Sequence, residues 1–66
     1  MQNVTILDKL YLTAQDLSEL LGVSVGHSYK IIRSLNNELA KQGFLIIAGR
    51  VSTAFFCEKY YGLNQN

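Results

Sequence analysis

The stretch from Leu20 to Leu35, LLGVSVGHSYKIIRSL, decides how this chain folds. One apolar run closes at Gly22, and after a single valine Ser24 opens the next run. Glycine suits the left-handed backbone conformation that often ends a helix, and serine is a favoured residue at a helix N-cap. The stretch therefore predicts two helices joined by a tight turn of about three residues.

The first of these helices has a clear start. Thr13 is followed three residues later by Asp16, which is the spacing of a capping box, and Leu12 is placed to pack on Leu17 as a hydrophobic staple. The helix therefore begins at Thr13 and ends at Gly22. Its apolar stripe consists of Leu17, Leu20 and Leu21.

The second helix is expected to run from Ser24 to about Gln42, where Gly43 stops it. Small or apolar residues recur at steps of three and four along its inner face, namely Ser28, Ile31, Ile32, Leu35 and Leu39. The opposite face is polar and basic, with His27, Tyr29, Lys30, Arg33, Ser34, Asn37 and Lys41.

The pattern changes after Gly43. The run FLII predicts a strand that turns at Gly49 and returns at Val51, which gives a short hairpin over residues 44–52. A third helix follows from Ser52 or Thr53 to Gly62. Its bulky positions are Phe55, Phe56, Cys57, Tyr60 and Tyr61, and whether the four aromatic residues among them belong to the core or to an interface is open. A short edge strand is also expected over residues 4–7.

Composition limits the kind of protein this is. The 66 residues predict a single domain over 1–66, with no proline, one cysteine and one histidine. One cysteine cannot close a disulfide within the chain, and no spacing of ligands suggests a metal or cofactor site. No apolar run is long enough for a membrane span, and the N-terminus lacks the pattern of a signal peptide, so a cytoplasmic protein is expected.

Charge is unevenly distributed along the chain. Residues 1–24 carry a net −2, whereas residues 25–50 carry a net +3 from Lys30, Arg33, Lys41 and Arg50 against Glu38. A positive middle third is the arrangement expected when one face of a protein approaches a polyanion.

These features predict a mainly α fold with a small β-hairpin, a winged helix-turn-helix made of three helices plus a wing. Ser18 is a small residue where the two helices would cross. Helix-turn-helix geometry would place the second helix in the major groove of double-stranded DNA and Arg50 at the wing. An ordinary helical hairpin in a small bundle would use much the same pattern, and that alternative stays open.

The candidate DNA-binding residues lie near the start of the second helix and on the wing. Backbone amides of residues 24–26, at the positive end of the helix dipole, suit a phosphate. Arg33 can bind a guanine edge or a phosphate, Lys30 suits a phosphate, and His27 and Tyr29 can donate hydrogen bonds or pack on sugar and thymine methyl groups. The full set is Ser24, Val25, Gly26, His27, Tyr29, Lys30, Arg33 and Arg50.

Two other functional classes compete with DNA binding. An enzyme is disfavoured because the chain has no nucleophile, base and carboxylate arrangement and no phosphate-binding glycine loop. A protein-interaction module that uses the same helix, or the aromatic C-terminal helix, is the remaining alternative.

The chain also resembles a known family. The runs YLTAQDLSELLGVSVGHSYKIIRSLNNEL and GFLIIAGRVSTAFFCEKYYG, from Tyr11 to Gly62, resemble the small excisionase-like and MerR-like DNA-binding proteins of phages and integrative elements in Gram-positive bacteria. The resemblance implies a winged helix-turn-helix that binds and bends DNA and either assists an integrase or another recombinase or regulates transcription. It assigns DNA contacts to residues 24–33 and to Arg50. So few cations predict modest affinity for one subunit, and hence a homodimer or cooperative oligomer on DNA.

Overall fold

The computed structural model describes residues 9–60. Three helices surround a two-stranded antiparallel sheet, which confirms the expected winged-helix class of fold. In chain order the elements are β1 (Tyr11–Thr13), α1 (Ala14–Leu21), α2 (Val25–Lys41), β2 (Arg50–Ser52) and α3 (Thr53–Tyr60).

Helix α1 begins and ends where its sequence predicts. The Thr13 hydroxyl accepts a hydrogen bond from the Asp16 N–H at 3.1 Å, and the Asp16 carboxylate accepts one from the Thr13 N–H at 3.0 Å, which completes the capping box. At the other end Gly22 adopts a left-handed conformation with φ of 70°, and its N–H donates to the Ser18 carbonyl. Both ends are thus fixed by contacts within a few residues.

Helix α2 is also confirmed, with Ser24 as its N-cap and Gln42 as its C-cap. Its buried face contains Ser28, Ile32, Leu35 and Asn36. The Ser28 hydroxyl donates to the Ser24 carbonyl at 3.0 Å, so this polar group is buried with a hydrogen-bond partner.

The predicted hairpin over 44–52 is wrong in its strand pairing. The turn at Gly49 forms, with a φ of 79°, but Ile47 and Arg50 make a single bridge and residues 44–46 lie in no strand. Strand β2 pairs instead with β1, with Leu12 opposite Val51. Those two side chains are fully buried in the core.

A backbone hydrogen bond explains why the segment after α2 does not join the ladder. The Phe44 N–H donates to the Leu39 carbonyl at 3.1 Å, so the chain is still tied to the end of α2 at the point where the strand was expected to start. The segment therefore reaches the sheet only at Ile47.

Helix α3 begins at Thr53, as predicted, and its aromatic residues lie in two different environments. Phe56 is fully buried and Cys57 is buried beside it in the core, whereas Tyr60 is half exposed and stacks on the Phe56 ring with centroids 4.8 Å apart. Tyr61, Gly62 and the strand expected over residues 4–7 lie outside the described residues.

The core is small and is formed where α1, α2, α3 and the sheet meet. Its buried apolar residues are Leu12, Ala14, Leu17, Ile32, Leu35, Val51, Phe56 and Cys57, with Leu20, Leu21, Ile31 and Phe55 packed against them. Burial of one face of α2 leaves its opposite face free for solvent or a partner.

Candidate nucleic-acid interface

The outer face of α2 presents the predicted site residues to solvent. All of the candidates are exposed, including Arg50 beyond the helix. Val25 and Tyr29, the largest apolar surfaces of the set, are 38% and 47% exposed. The amphipathic pattern therefore placed this face correctly, and the face is open to a large ligand.

The N-terminal turn of α2 is well suited to an anion. The Ser24 hydroxyl accepts from the His27 N–H at 3.0 Å, and the first turn contains no acidic residue. A carboxylate there would interact favourably with the helix dipole, but it would repel a phosphate. With none present, the positive end of the dipole and the remaining free amides face solvent.

Gly26 lies in this turn without any internal need for a glycine. A Cβ built at residue 26 would meet only the Ser24 hydroxyl oxygen, at 4.0 Å. Packing within the protein therefore does not require the missing side chain. Its effect is on the outside, where it lets a ligand approach the helix backbone closely.

The turn between α1 and α2 is fixed by a side chain. The Ser18 hydroxyl donates to the Val23 carbonyl at 2.6 Å, so the small residue expected where the helices cross also holds the connecting turn. The contact sets the start of α2 against α1 and gives the exposed face a defined orientation.

The turn at residues 47–50 lies beside α2 and borders an open cleft of about 350 Å³. Tyr29 packs close to it, since a Cβ on Gly49 would lie 3.8 Å from the Tyr29 ring. The cleft is lined by Tyr29, Ile32, Arg33, Asn36, Asn37, Ile46, Ala48 and Gly49. Arg33 and Tyr29 of the predicted set are thereby brought together with the turn.

Arg50 has a different position. Arg50 lines a neighbouring groove together with residues of α3, and it is absent from the cleft that Tyr29 and Arg33 line. The structure therefore places the helix residues on one surface and Arg50 at its border.

The cations of this surface are not neutralised by acidic neighbours. Within residues 9–60, the ion pairs join Lys9 to Asp16 at 3.0 Å and Lys59 to Glu38 at 3.2 Å. Lys30, Arg33 and Arg50 take part in neither. Their charge remains available to a polyanion.

Asn36 is a residue that the sequence reasoning missed. It is 5% exposed, and its amide nitrogen donates to the carbonyls of Arg50 at 2.8 Å and Ile47 at 3.2 Å. This one side chain fastens the turn to α2. The available signal was an asparagine next to Leu35 on the apolar stripe, where a buried amide needs partners.

Two further kinds of feature are absent from the described residues. No helix in the described part of the chain is long and apolar enough to cross a membrane. Between residues 9 and 60, no group of three or more histidine, cysteine, aspartate or glutamate side chains is arranged to hold a metal ion.

Comparison with known proteins gives one informative relative. No model of a known protein family matches the chain, and no solved structure matches it. The ICEBs1 excisionase of Bacillus subtilis (strain 168) is 46% identical over 50 residues, which cover 76% of this chain and 78% of the relative. Identity at this level over most of both chains shows that the protein belongs to the excisionase family.

Proposed function

We propose that the protein is a sequence-specific DNA-binding factor that directs excision of a mobile element. The relative is named an excisionase, and the fold is of the winged-helix class that binds DNA in many proteins. In this proposal α2 enters the major groove and the turn at residues 47–50 acts as the wing. Regulation of transcription through the same DNA contacts is the second role that the fold supports.

The exposed face of α2 carries the proposal. Its first turn lacks an acidic residue, and Lys30 and Arg33 make no ion pair with another described residue. Unpaired cations beside a free helix N-terminus give little stabilisation to a face that contacts only solvent. A bound polyanion would be attracted both by the cations and by the positive end of the helix dipole.

The contacts divide by chemistry. Amides of the first turn and Lys30 would hold phosphates and fix the position of the helix, while Arg33, one turn further along, would read a base edge. His27 and Tyr29 lie between them, and Tyr29 also supports the wing turn through Gly49. Arg50, at the border of the surface, would reach the backbone of the adjacent minor groove.

In this role the protein is not an enzyme and needs no cofactor. Strand breakage and joining would belong to a recombinase, the expected protein partner, acting on DNA in the bacterial cytoplasm. The factor would contribute binding and bending of the DNA.

A fluorescence titration on DNA from beside the protein's own gene tests the proposal. With Lys30 and Arg50 on phosphates and Arg33 on a base edge, the logarithm of the binding constant should fall against the logarithm of salt concentration with a slope of about −2 per subunit. An absence of salt-sensitive binding at micromolar protein would reject DNA as the ligand and favour the protein-interaction module.

A pair of variants locates the surface. Arg33→Ala should weaken binding by about 1 to 3 kcal/mol if Arg33 reads a base. Lys59→Ala removes one positive charge from α3 and should leave binding nearly unchanged. Equal losses in both variants would show attraction to overall charge rather than recognition by α2.

A further inference from the structure

Asn36 holds both ends of the turn at residues 47–50. The Arg50 N–H donates to the Ile47 carbonyl at 3.1 Å, which closes the turn. The amide nitrogen of Asn36 donates to the carbonyls of the same two residues, at 3.2 Å for Ile47 and 2.8 Å for Arg50. One side chain of α2 is therefore bonded to the first and to the last residue of the turn.

The backbone of Arg50 depends on these bonds because β1 does not hold it through the ladder. Arg50 pairs with Thr13, but the Thr13 N–H donates to Asp16, and the Arg50 N–H and carbonyl bond to Ile47 and Asn36. Opposed residues in an antiparallel ladder alternate between pairs that exchange hydrogen bonds and pairs that exchange none. Arg50 belongs to the second kind, so the turn and Asn36 fix its backbone.

Asn36 borders both of the surfaces that carry the arginines assigned to DNA. It lines the cleft of about 350 Å³ that Arg33 lines, and it lines the neighbouring groove of about 480 Å³ that Arg50 lines. Residues three apart on a helix are neighbours on its surface, so Arg33 lies beside Asn36 on α2. The hydrogen bond from Asn36 to Arg50 therefore links the backbone positions of the two arginines.

A second contact stops the turn from pivoting about Asn36. Tyr29 precedes Asn36 by seven residues, about two turns of α2, and its ring lies against Gly49, where a Cβ would be 3.8 Å away. The turn is thus held to the helix at two separate points.

The chemistry at residue 36 suits an amide in particular. A primary amide has two N–H donors, which match the two carbonyls, whereas a serine hydroxyl has one donor and an aspartate carboxylate has none. Since Asn36 is only 5% exposed, water does not readily replace these hydrogen bonds.

We propose that Asn36 is a positioning residue for DNA binding, which sets the separation of Arg33 and Arg50 without touching DNA itself. This role rests on the proposed function, in which Arg33 reads a base in the major groove and Arg50 binds the backbone of the adjacent minor groove. The duplex fixes the distance between those two places. A turn released from α2 would have to be ordered on the DNA, and the entropy lost in that ordering lowers affinity.

Fluorescence titrations over a range of salt concentrations test this role in Asn36→Ala, Arg50→Ala and the double variant. Arg50→Ala should change the salt slope from about −2 to about −1, because one phosphate contact is lost. Asn36→Ala should change the slope as much and weaken binding on the order of tenfold, although it removes no charge. In a chain that already lacks Arg50, Asn36→Ala should cause no further loss of affinity.

Leu17→Val controls for a general loss of stability. Leu17 is fully buried in the core on α1, so the variant loosens the core but keeps both hydrogen bonds of Asn36. Its salt slope and affinity should equal those of the wild type at a temperature where circular dichroism shows it to be folded. If Asn36→Ala is not folded at that temperature, Asn36→Ser takes its place with the same expectations.

The outcomes separate this role from the proposed function. A wild-type salt slope in the Asn36 variant, or additive losses in the double variant, would overturn the positioning role and leave DNA binding in place. An unchanged slope in Arg50→Ala would also overturn it, since Arg50 would then have no phosphate contact to lose. No salt-sensitive binding by the wild type would reject the proposed function itself.

Discussion

Asp16 shows how one side chain organises the start of this domain. It is 6% exposed, its carboxylate accepts the Thr13 N–H at 3.0 Å, and the Lys9 ammonium donates to both of its oxygens, at 3.0 and 3.3 Å. Burial alone would raise its pKa. The hydrogen bonds from Thr13 and the charge of Lys9 outweigh burial, and they hold the pKa of Asp16 below its ordinary value of 3.8.

The lowered pKa predicts how stability depends on pH. An aspartate whose pKa is lower in the folded state stabilises the fold fully above its unfolded pKa, and this stabilisation is lost as pH falls through the folded pKa. Urea unfolding of the wild type should therefore show a loss of free energy below about pH 4 that Asp16→Asn lacks. The variant should also be less stable at pH 7.

Glu19→Gln is the control for that measurement. Glu19 is exposed, and the Gln15 side chain contacts it at 3.4 Å. Its replacement should leave the pH profile of the wild type in place. If Asp16→Asn kept the wild-type profile below pH 4, the assignment of this pH dependence to Asp16 would be wrong.

Thr53 presents the opposite situation. Thr53 is only 7% exposed, and its buried hydroxyl makes no hydrogen bond within the described residues. An unpaired buried hydroxyl is costly, so Thr53→Val, which keeps the shape, should stabilise the fold by about 1 kcal/mol and raise the Tm by roughly 4 to 8 °C. Thermal unfolding checks this, with Thr53→Ser as the control that keeps the hydroxyl. A lower Tm for Thr53→Val would show that the hydroxyl has a partner.

At the scale of the elements, α1, the turn and α2 could be predicted from sequence because their signals are local. Thr13 bonds to Asp16, Ser18 to Val23 and Ser24 to His27, so each contact that fixes a boundary spans five residues or fewer. Short-range hydrogen-bonding patterns of this kind can be recognised from the local sequence alone.

The sheet could not be predicted in the same way. The pairing of Leu12 with Val51 joins distant parts of the chain, and it prevails because both side chains are buried in the core. The expected partner of Val51, the FLII segment, has suitable strand propensity but remains tied to α2. Strand propensity indicates that a segment can form a strand, but it does not indicate which other strand that segment pairs with.

The hydrogen bonds of Asn36 lead to a prediction about the turn at residues 47–50. Asn36→Ala removes both hydrogen bonds to the turn and should cost about 1 to 3 kcal/mol, because the Ile47 and Arg50 carbonyls lose a buried partner. Hydrogen exchange at the Arg50 amide, which bonds to Ile47 at 3.1 Å, should become faster by more than the loss of global stability explains.

Asn37→Ala is the matched control, since Asn37 is exposed and adjacent on the same helix. It should leave exchange at the Arg50 amide unchanged. Equal effects of the two variants would mean that Asn36 is not what fastens the turn to α2.

At the scale of the whole molecule, the candidate site was predictable only in part. The periodicity of α2 predicts which residues face outward, and all of them do. The position of Arg50 and the meeting of Tyr29 with Gly49 depend on how the turn folds back onto the helix, which no local pattern contains. Family membership could be recognised from the sequence because the motifs extend over nearly the whole stretch from Tyr11 to Gly62.

The central claim is that the exposed face of α2 binds DNA, and mapping of amide chemical shifts tests it most directly. DNA from beside the gene would be titrated into the nitrogen-15-labelled protein at moderate salt. The largest shifts should fall on residues 24–33 and 48–50, while the amides of α3 stay in place. Shifts concentrated on α3 or α1, with residues 24–33 unaffected, would contradict the claim.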